Sequence, residues 1–407
     1  MDKEIKTKII SWVKDALKQE KLDKIDVKFP VTDATGGYSA EIVYVDVRAE
    51  KGLETKCYNL IVKKNKDNEV IMDTMNFREV YKKEVYLYST YVPFLKKFAE
   101  KRGSAPFDNI PRCYGTVNET NHYVIVMENL KPKNFRCHPL GGDAMSLDHV
   151  KLVITAYAKW HALGLAVRDQ DPDVLKGFGK PRHLLENEYL MKSICASIEN
   201  EMDYVSEIYK KNNDLKPVEV LQKLKENYVQ MFRDMLENKD EDVLIARHGD
   251  SWNNNFLFHF NEEQNIPDKV MIIDWQAGIL GNPMADVNQF LFYCCTRKEL
   301  EHLDEILKLY HDTLSKKLKE LGSDPSKCFP WDVCKKSFER YAPLSIAGVP
   351  ICSRMCFKGE VKKAFDFADS VESGNVDAMF GNELTDPKKY FERIDGVLKL
   401  VIDRKLV

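Results

Sequence analysis

The sequence predicts an α+β protein of two lobes, a small antiparallel-sheet lobe at the amino end and a larger, mainly helical lobe after it. Two observations carry this. Up to about residue 130, apolar residues alternate with polar ones in short runs bounded by Gly, Asn and Asp, the pattern of half-buried strands. Beyond it they recur every three or four residues over long stretches, the pattern of helices with one buried face. A chain of 407 residues that is 44% apolar and 31% charged can build a core of that size, which excludes a wholly disordered protein. The expected division is 1–130 and 131–407.

The elements follow in order. Ile5, Ile9, Trp12, Val13, Ala16 and Leu17 fall at helical spacing and read as an amphipathic helix docked on the body. A membrane-surface helix is the weaker alternative, because acidic residues sit among its lysines. The same segment lacks the apolar stretch and cleavage site of a secretory signal, so a cytoplasmic protein is expected. Ile25 to Val31 and Glu41 to Ala49 alternate around a Gly-containing turn and read as a hairpin, with a third strand from Cys57 to Lys64. Met75 to Ala99 has helical spacing with Pro93 at a break, and short strands near Arg112–Val117 and Tyr123–Glu128 complete the sheet. Lys131 to Met145 reads as a connecting loop, followed by a long helix capped by Ser146 or Asp148. Charged helices over about 185–240, three short apolar segments between Val243 and Asp286, and a mainly helical remainder finish the chain. A ligand is expected in the cleft between the lobes.

Composition narrows the partners. Lys plus Arg is 61 against 64 for Asp plus Glu, a net charge of −3 that gives no argument for nucleic acid or a charged membrane. The longest apolar runs are four or five residues, so no membrane span is expected. Ten scattered cysteines read as reduced thiols. Cys352 and Cys356, four apart, read as buried packing rather than a metal site, since no second cluster accompanies them. The sequon at Asn118 reads as unmodified, and His161 as a packed structural histidine.

The chemistry lies in VLIARHGDSWNNNFLFHF. His248-Gly249-Asp250 is followed by Asn255, the Asp-to-Asn spacing of a protein kinase catalytic loop. A carboxylate there can take the proton of an attacking hydroxyl, and an amide oxygen one turn later can reach a metal beside phosphates. Nineteen residues on, the apolar run Val270–Ile273 delivers Asp274, the placement of a Mg2+-binding carboxylate at a cleft mouth. In the first lobe, Lys63 ends an apolar strand where a phosphate-pairing lysine belongs, while Lys64 beside it faces the other way, so one of the two is expected on the surface. Glu79 and Glu84 both qualify as the lysine's partner, with Glu84 preferred. Gly37 and Ser39 lie in the loop that would cover phosphates, though without a G-x-G-x-x-G spacing. Glu128 and Leu130 border a strand-to-linker junction able to hold an adenine through its backbone. These features together predict a protein-kinase-like bilobal fold.

The chain resembles the ecdysteroid kinase-like family, a branch of the choline kinase and aminoglycoside phosphotransferase superfamily, from about Phe29 to its end. The resemblance rests on GGYSAEIVYVDV, LIVKK, the helix with Glu84 and Tyr88, VMENL, AKWHAL, HGDSWNNNF and IIDWQAGILGNPMADV. Asn129 stands where the family typically has Asp, and Trp275 where Phe is commoner. The resemblance implies phosphorylation of a small-molecule hydroxyl by ATP with Mg2+, the 22-hydroxyl of an ecdysteroid being the family's named activity. It implies Asp250 as base, His248 as its support, Asn255 and Asp274 on Mg2+, and Lys63 with Glu84 on the phosphates. Hydroxylated xenobiotics are a further acceptor class, and a choline-type kinase or a non-catalytic sterol- or nucleotide-binding protein are the rivals.

Overall fold

The computed structural model describes residues 2–30, 40–66, 77–119, 121–139, 145–178, 188–237, 243–261, 263, 265–357 and 383–407. Five antiparallel strands, β1 (Ile25–Lys28), β2 (Ala40–Lys51), β3 (Glu54–Asn65), β4 (Cys113–Glu119) and β5 (His122–Glu128), form one sheet in the order β1-β2-β3-β5-β4. The two-residue period of β3 sorts its side chains. Leu60 and Val62 bury against Ile9, Trp12 and Val13 of the helix Lys3–Ala16, so the amphipathic amino-terminal segment does dock on the sheet. Ile61 faces the opposite side, where the helix Phe77–Tyr86 packs. That helix runs through a π-turn at Leu87–Tyr91 into Val92–Glu100, with Pro93 in its first turn, where a missing N–H costs little.

The first hairpin differs from its expectation. Lys28 pairs with Asp46 and Ile25 with Ala49, so β1 covers only the far half of β2. The near half of β2, Ala40 to Val45, lies beyond the end of β1.

Among the described residues after β5 the chain is mainly helical, with five short strands: β6 (Phe135–Cys137), β7 (Ile245–Arg247), β8 (Phe256–Phe260), β9 (Pro267–Ile272) and β10 (Ile279–Gly281). They pair as β6-β8-β9 and β10-β7. β6 corrects the expected plain loop over 131–145: Phe135 is buried, and Arg136 lies over the Phe260 ring at 4.2 Å. The helix Leu147–Gln170 is the axis of this lobe, with buried residues on every side from Val153 to Val167. Ser146 occupies its cap position, but its hydroxyl bonds the His149 ring (2.8 Å) rather than a backbone amide. Asn109 ties the lobes together: its Nδ2 donates to Val270 O (2.9 Å) and its carbonyl accepts from Ile272 N (2.8 Å). Among the described residues no helix is long and apolar enough to cross a membrane.

Candidate active site

Strand β7 ends at Arg247 and the chain turns sharply through His248-Gly249-Asp250. Gly249 has φ +81°, and a Cβ there would meet Ala277 O at 2.3 Å, so only glycine fits the turn. Both nitrogens of the His248 ring brace the loop. Nε2 donates to Ile273 O (2.9 Å), and Nδ1 accepts from Asp250 N at 3.3 Å. Beneath it, Asp286 is fully buried and accepts from His248 N (2.7 Å) and Gly249 N (2.9 Å). Gln289, one turn along the same helix (Met284–Cys294), accepts from Ser251 N (2.9 Å). The loop is therefore held amide by amide before any substrate arrives.

Asn255 Nδ2 donates to both the backbone oxygen and Oδ2 of Asp250, each at 2.8 Å. Its NH2 group is thus committed to Asp250, and the amide oxygen is the atom that can meet a cation. Asp274 follows β9 in a left-handed conformation (φ 63°, ψ 66°), an arrangement a non-glycine residue adopts at a cost and keeps when its neighbours enforce it. Here Ile273 N donates to Asn255 O (3.0 Å) and Trp275 N to Glu84 Oε1 (3.2 Å). Trp275 anchors the turn, packed on Trp160 with ring centroids 4.4 Å apart.

Across the cleft, Lys63 is 8% exposed and Glu84 1%. Lys63 Nζ lies 2.7 Å from Glu84 Oε2 and 2.6 Å from Asp274 Oδ1, so one ammonium joins the sheet, the helix and the tip of β9. Burial alone would push the Lys63 pKa down. The carboxylates of Asp274 and Glu84 more than offset this and hold it above its usual value, so the group stays charged. Burial, reinforced by the negative charge of Asp274, raises Asp250 to about 6 against the opposing effects of His248 and the Asn255 bond.

The structure brings His248, Asp250, Asn255, Asp274, Lys63 and Glu84 into one linked arrangement. Of the open pairs, it joins Lys63 with Glu84, while Glu79 sits on the outer helix face with Lys82 (2.9 Å). The expectation of one surface lysine is corrected. Lys64 is 3% exposed, because the amino-terminal helix covers its side of the sheet, and it pairs with Glu41 at 3.0 Å. Glu128 ends β5, its side chain paired with Lys133, and its amide donates to Arg112 O (2.9 Å). Leu130 is buried, and its carbonyl accepts from Lys133 N (3.0 Å). Gly37 and Ser39 lie outside the described residues. His161 is packed as expected, bonded to Tyr310 OH (2.9 Å) and 3.3 Å from Asp286 Oδ2, which it supports. Asp286 and Gln289 brace this loop, and Arg247 lies beside Asp286, placements that spacing did not signal.

Asp250 and Gly249 also line a cavity of about 410 Å³. Its walls are largely apolar, among them Phe77, Ile198, Phe232 and Leu344. Asp250 is the one acid among the described lining residues. The donor set for a divalent cation is one carboxylate and one amide oxygen, hard ligands that suit Mg2+ completed by phosphates and water. Among the described residues no three His, Cys, Asp or Glu side chains gather as a separate metal site.

A sheet bearing a buried Lys–Glu pair, a helical lobe bearing an Asp loop, and an Asp-tipped strand between them define a phosphotransferase with a kinase-like fold. The chain belongs to the ecdysteroid kinase-like family, whose model matches residues 35–323, and is a small-molecule phosphotransferase of that family. No curated protein matches it. The GDP complex of wild-type aminoglycoside 2'-phosphotransferase-IIIa is similar over 97% of this chain and 99% of that one, at 11% identity and a TM-score of 0.41. The GDP and kanamycin complex of APH(2")-IIIa is similar over the same shares, at 12% identity and a TM-score of 0.39. Likenesses at that level add nothing to the assignment, which rests on the family match and the chain's own architecture.

Proposed function

We propose that the protein transfers the terminal phosphoryl group of ATP to a hydroxyl of a lipophilic small molecule of ecdysteroid type. The observation that carries this is the apolar cavity ending on Asp250, whose size and lining suit a drug-sized, mostly apolar acceptor. A hydroxyl entering from the cavity meets the Asp250 carboxylate, which takes its proton as the oxygen attacks. Lys63, oriented by Glu84, pairs with the phosphates, and the hinge offers the Glu128 carbonyl and the Leu130 amide to the adenine. The hinge divides a nucleotide lobe, 1–130, from a catalytic and acceptor lobe, 131–407. Asp274 and the Asn255 amide oxygen would hold Mg2+, which supplies charge neutralisation to the transferred group. The chain's own contribution is positioning and a preorganised charge pattern. A choline-type acceptor would want several carboxylates around a cationic head, and the described lining residues supply one. All ten cysteines are free thiols, which suits a reducing compartment, and we place the protein in the cytosol.

The test is mass spectrometry of the purified protein incubated with Mg-ATP and a panel of ecdysteroids and hydroxylated plant compounds, with Asp250→Asn as control. One phosphoryl group gained on an ecdysteroid, and lost with the control, is the expected result. Phosphorylation confined to plant alcohols or phenols moves the acceptor class to xenobiotics. No phosphorylated product despite tight Mg-ATP binding overturns the reading in favour of a non-catalytic binding protein.

A further inference from the structure

An arginine in the wall of an apolar cavity calls for a partner. Arg247 is 4% exposed and lines the cavity three residues before Asp250. A guanidinium carries five donors and no acceptor. Among the described residues, Nη2 rests on the thioether sulfur of Met235 at 3.5 Å, and Met235 itself lines the cavity. Nη1 stands 3.6 Å from Asp286 Oδ1, longer than a good hydrogen bond, and the buried Nε has no partner. Leaving buried donors unmet is unfavourable unless something else meets them. The fold nevertheless makes room for this side chain. On the paired strand β10, a Cβ at Gly281 would stand 2.7 Å from Arg247 Nε.

The surroundings specify the missing acceptor. Asp286 Oδ1 faces Arg247 Nη1 and also accepts from Gly249 N at 2.9 Å, so the guanidinium lies beside the loop that carries Asp250. Asp286 already balances the positive charge, and Asp250 lines the same cavity. An anionic ligand group would meet two carboxylates there, whereas an uncharged oxygen meets only the donors. We propose that Arg247 is a specificity-determining residue, donating hydrogen bonds to a keto or hydroxyl oxygen of the acceptor a few carbon atoms from the hydroxyl presented to Asp250. This rests on the cavity being the acceptor site.

The test uses pairs of steroid alcohols identical except for one keto or hydroxyl oxygen two to four carbons from the shared hydroxyl. Equilibrium dialysis measures their binding to the wild-type protein, Arg247→Met and Gly281→Ala, with circular dichroism melts showing that each variant is folded. The wild type is expected to favour the oxygenated member of at least one pair by about tenfold or more. Arg247→Met should bind both members alike, and Gly281→Ala, which keeps the charge but crowds Nε, should fall between. Equal binding of every pair by the wild type, or a preference that survives in Arg247→Met, overturns the proposal. Mass spectrometry of the same mixtures with Mg-ATP separates the two readings. A preference without phosphoryl transfer upholds the role of Arg247 and overturns the phosphotransferase reading, while transfer without a preference does the reverse.

Discussion

Replacing Asp250 with Asn tests the chemistry and the energetics of the site at once. The carboxyl has a pKa of about 6 in the folded protein against an ordinary 3.8, chiefly from burial and then from Asp274. In kcat/KM, which reports the free enzyme, an acid limb is therefore expected near pH 6, with activity at pH 5 about one-tenth of its plateau. Mg2+ held by Asp274, as proposed, would remove the repelling charge, and the limb in kcat would then lie at lower pH. Loss of a general base lowers turnover by about 10² to 10⁴-fold, and Asp250→Asn should show that loss with no acid limb. The sign for stability is opposite. A carboxyl whose folded pKa is raised favours the fold while protonated, fully so below pH 3.8, and that contribution is lost as pH rises through 6. The ionised form thus costs stability at pH 8, by at most about 3 kcal/mol and less for a carboxylate that is only partly covered. Asp250→Asn should accordingly melt higher than the wild type at pH 8 and alike at pH 3.5. A variant with full activity, or one with the wild-type acid limb intact, refutes the assignment of the base. A variant that melts lower at pH 8 refutes the strain.

Further outcomes distinguish the neighbours. Lys63→Met should lower kcat/KM for ATP by about 10²-fold, the scale of losing one charge-stabilising donor. Lys64→Met, on the opposite face, should leave it within about twofold while reducing stability through the unpaired Glu41, as thermal melts and initial rates with varied ATP would show. Gly249→Ala places a methyl group 2.3 Å from Ala277 O at φ +81°, and is expected to cost about 1–3 kcal/mol of stability and most of the turnover. Asp286→Asn should lower kcat by about tenfold or more with little change in KM for ATP, and destabilise the fold by about 3 kcal/mol, because an amide can no longer accept from both loop amides and balance Arg247. Unchanged kcat would show that Asp286 supports the fold but not the loop.

The turn at His248–Asp250, its link to Asn255 and the place of Asp274 were legible in the sequence because they are local: a turn, an amide five residues on, and a carboxylate at the end of one apolar run. Strand alternation also gave the sheet. It left Lys63 and Lys64 undecided because period two separates faces without saying which is covered, and here both are: the helix Lys3–Ala16 lies over the face of Lys64, and Glu84 and Asp274 close over Lys63. Glu84 was separable from Glu79 only once the helix had a rotation relative to the sheet. Asp286 and Arg247 gave no signal, since their roles exist only where β7, β10 and the helix Met284–Cys294 meet. The short strands β6 and β10 were missed because three residues are too few to show a period.

The helix Phe77–Tyr86 has a consequence for how variants of this protein are to be interpreted. Phe77 and Val80 line the cavity that reaches Asp250, and Glu84, two turns from Phe77 on the same face, grips the ammonium of Lys63. The cavity wall and the Lys63 pair thus share one helix, and whatever seats against Phe77 loads Glu84 as well. A substitution in that wall, chosen to widen the cavity for a bulkier acceptor, will register as a change in nucleotide affinity. Engineering of acceptor scope is better directed at Ile198, Phe232 or Leu344, which line the same space from helices that carry none of Lys63, Glu84 and Asp274.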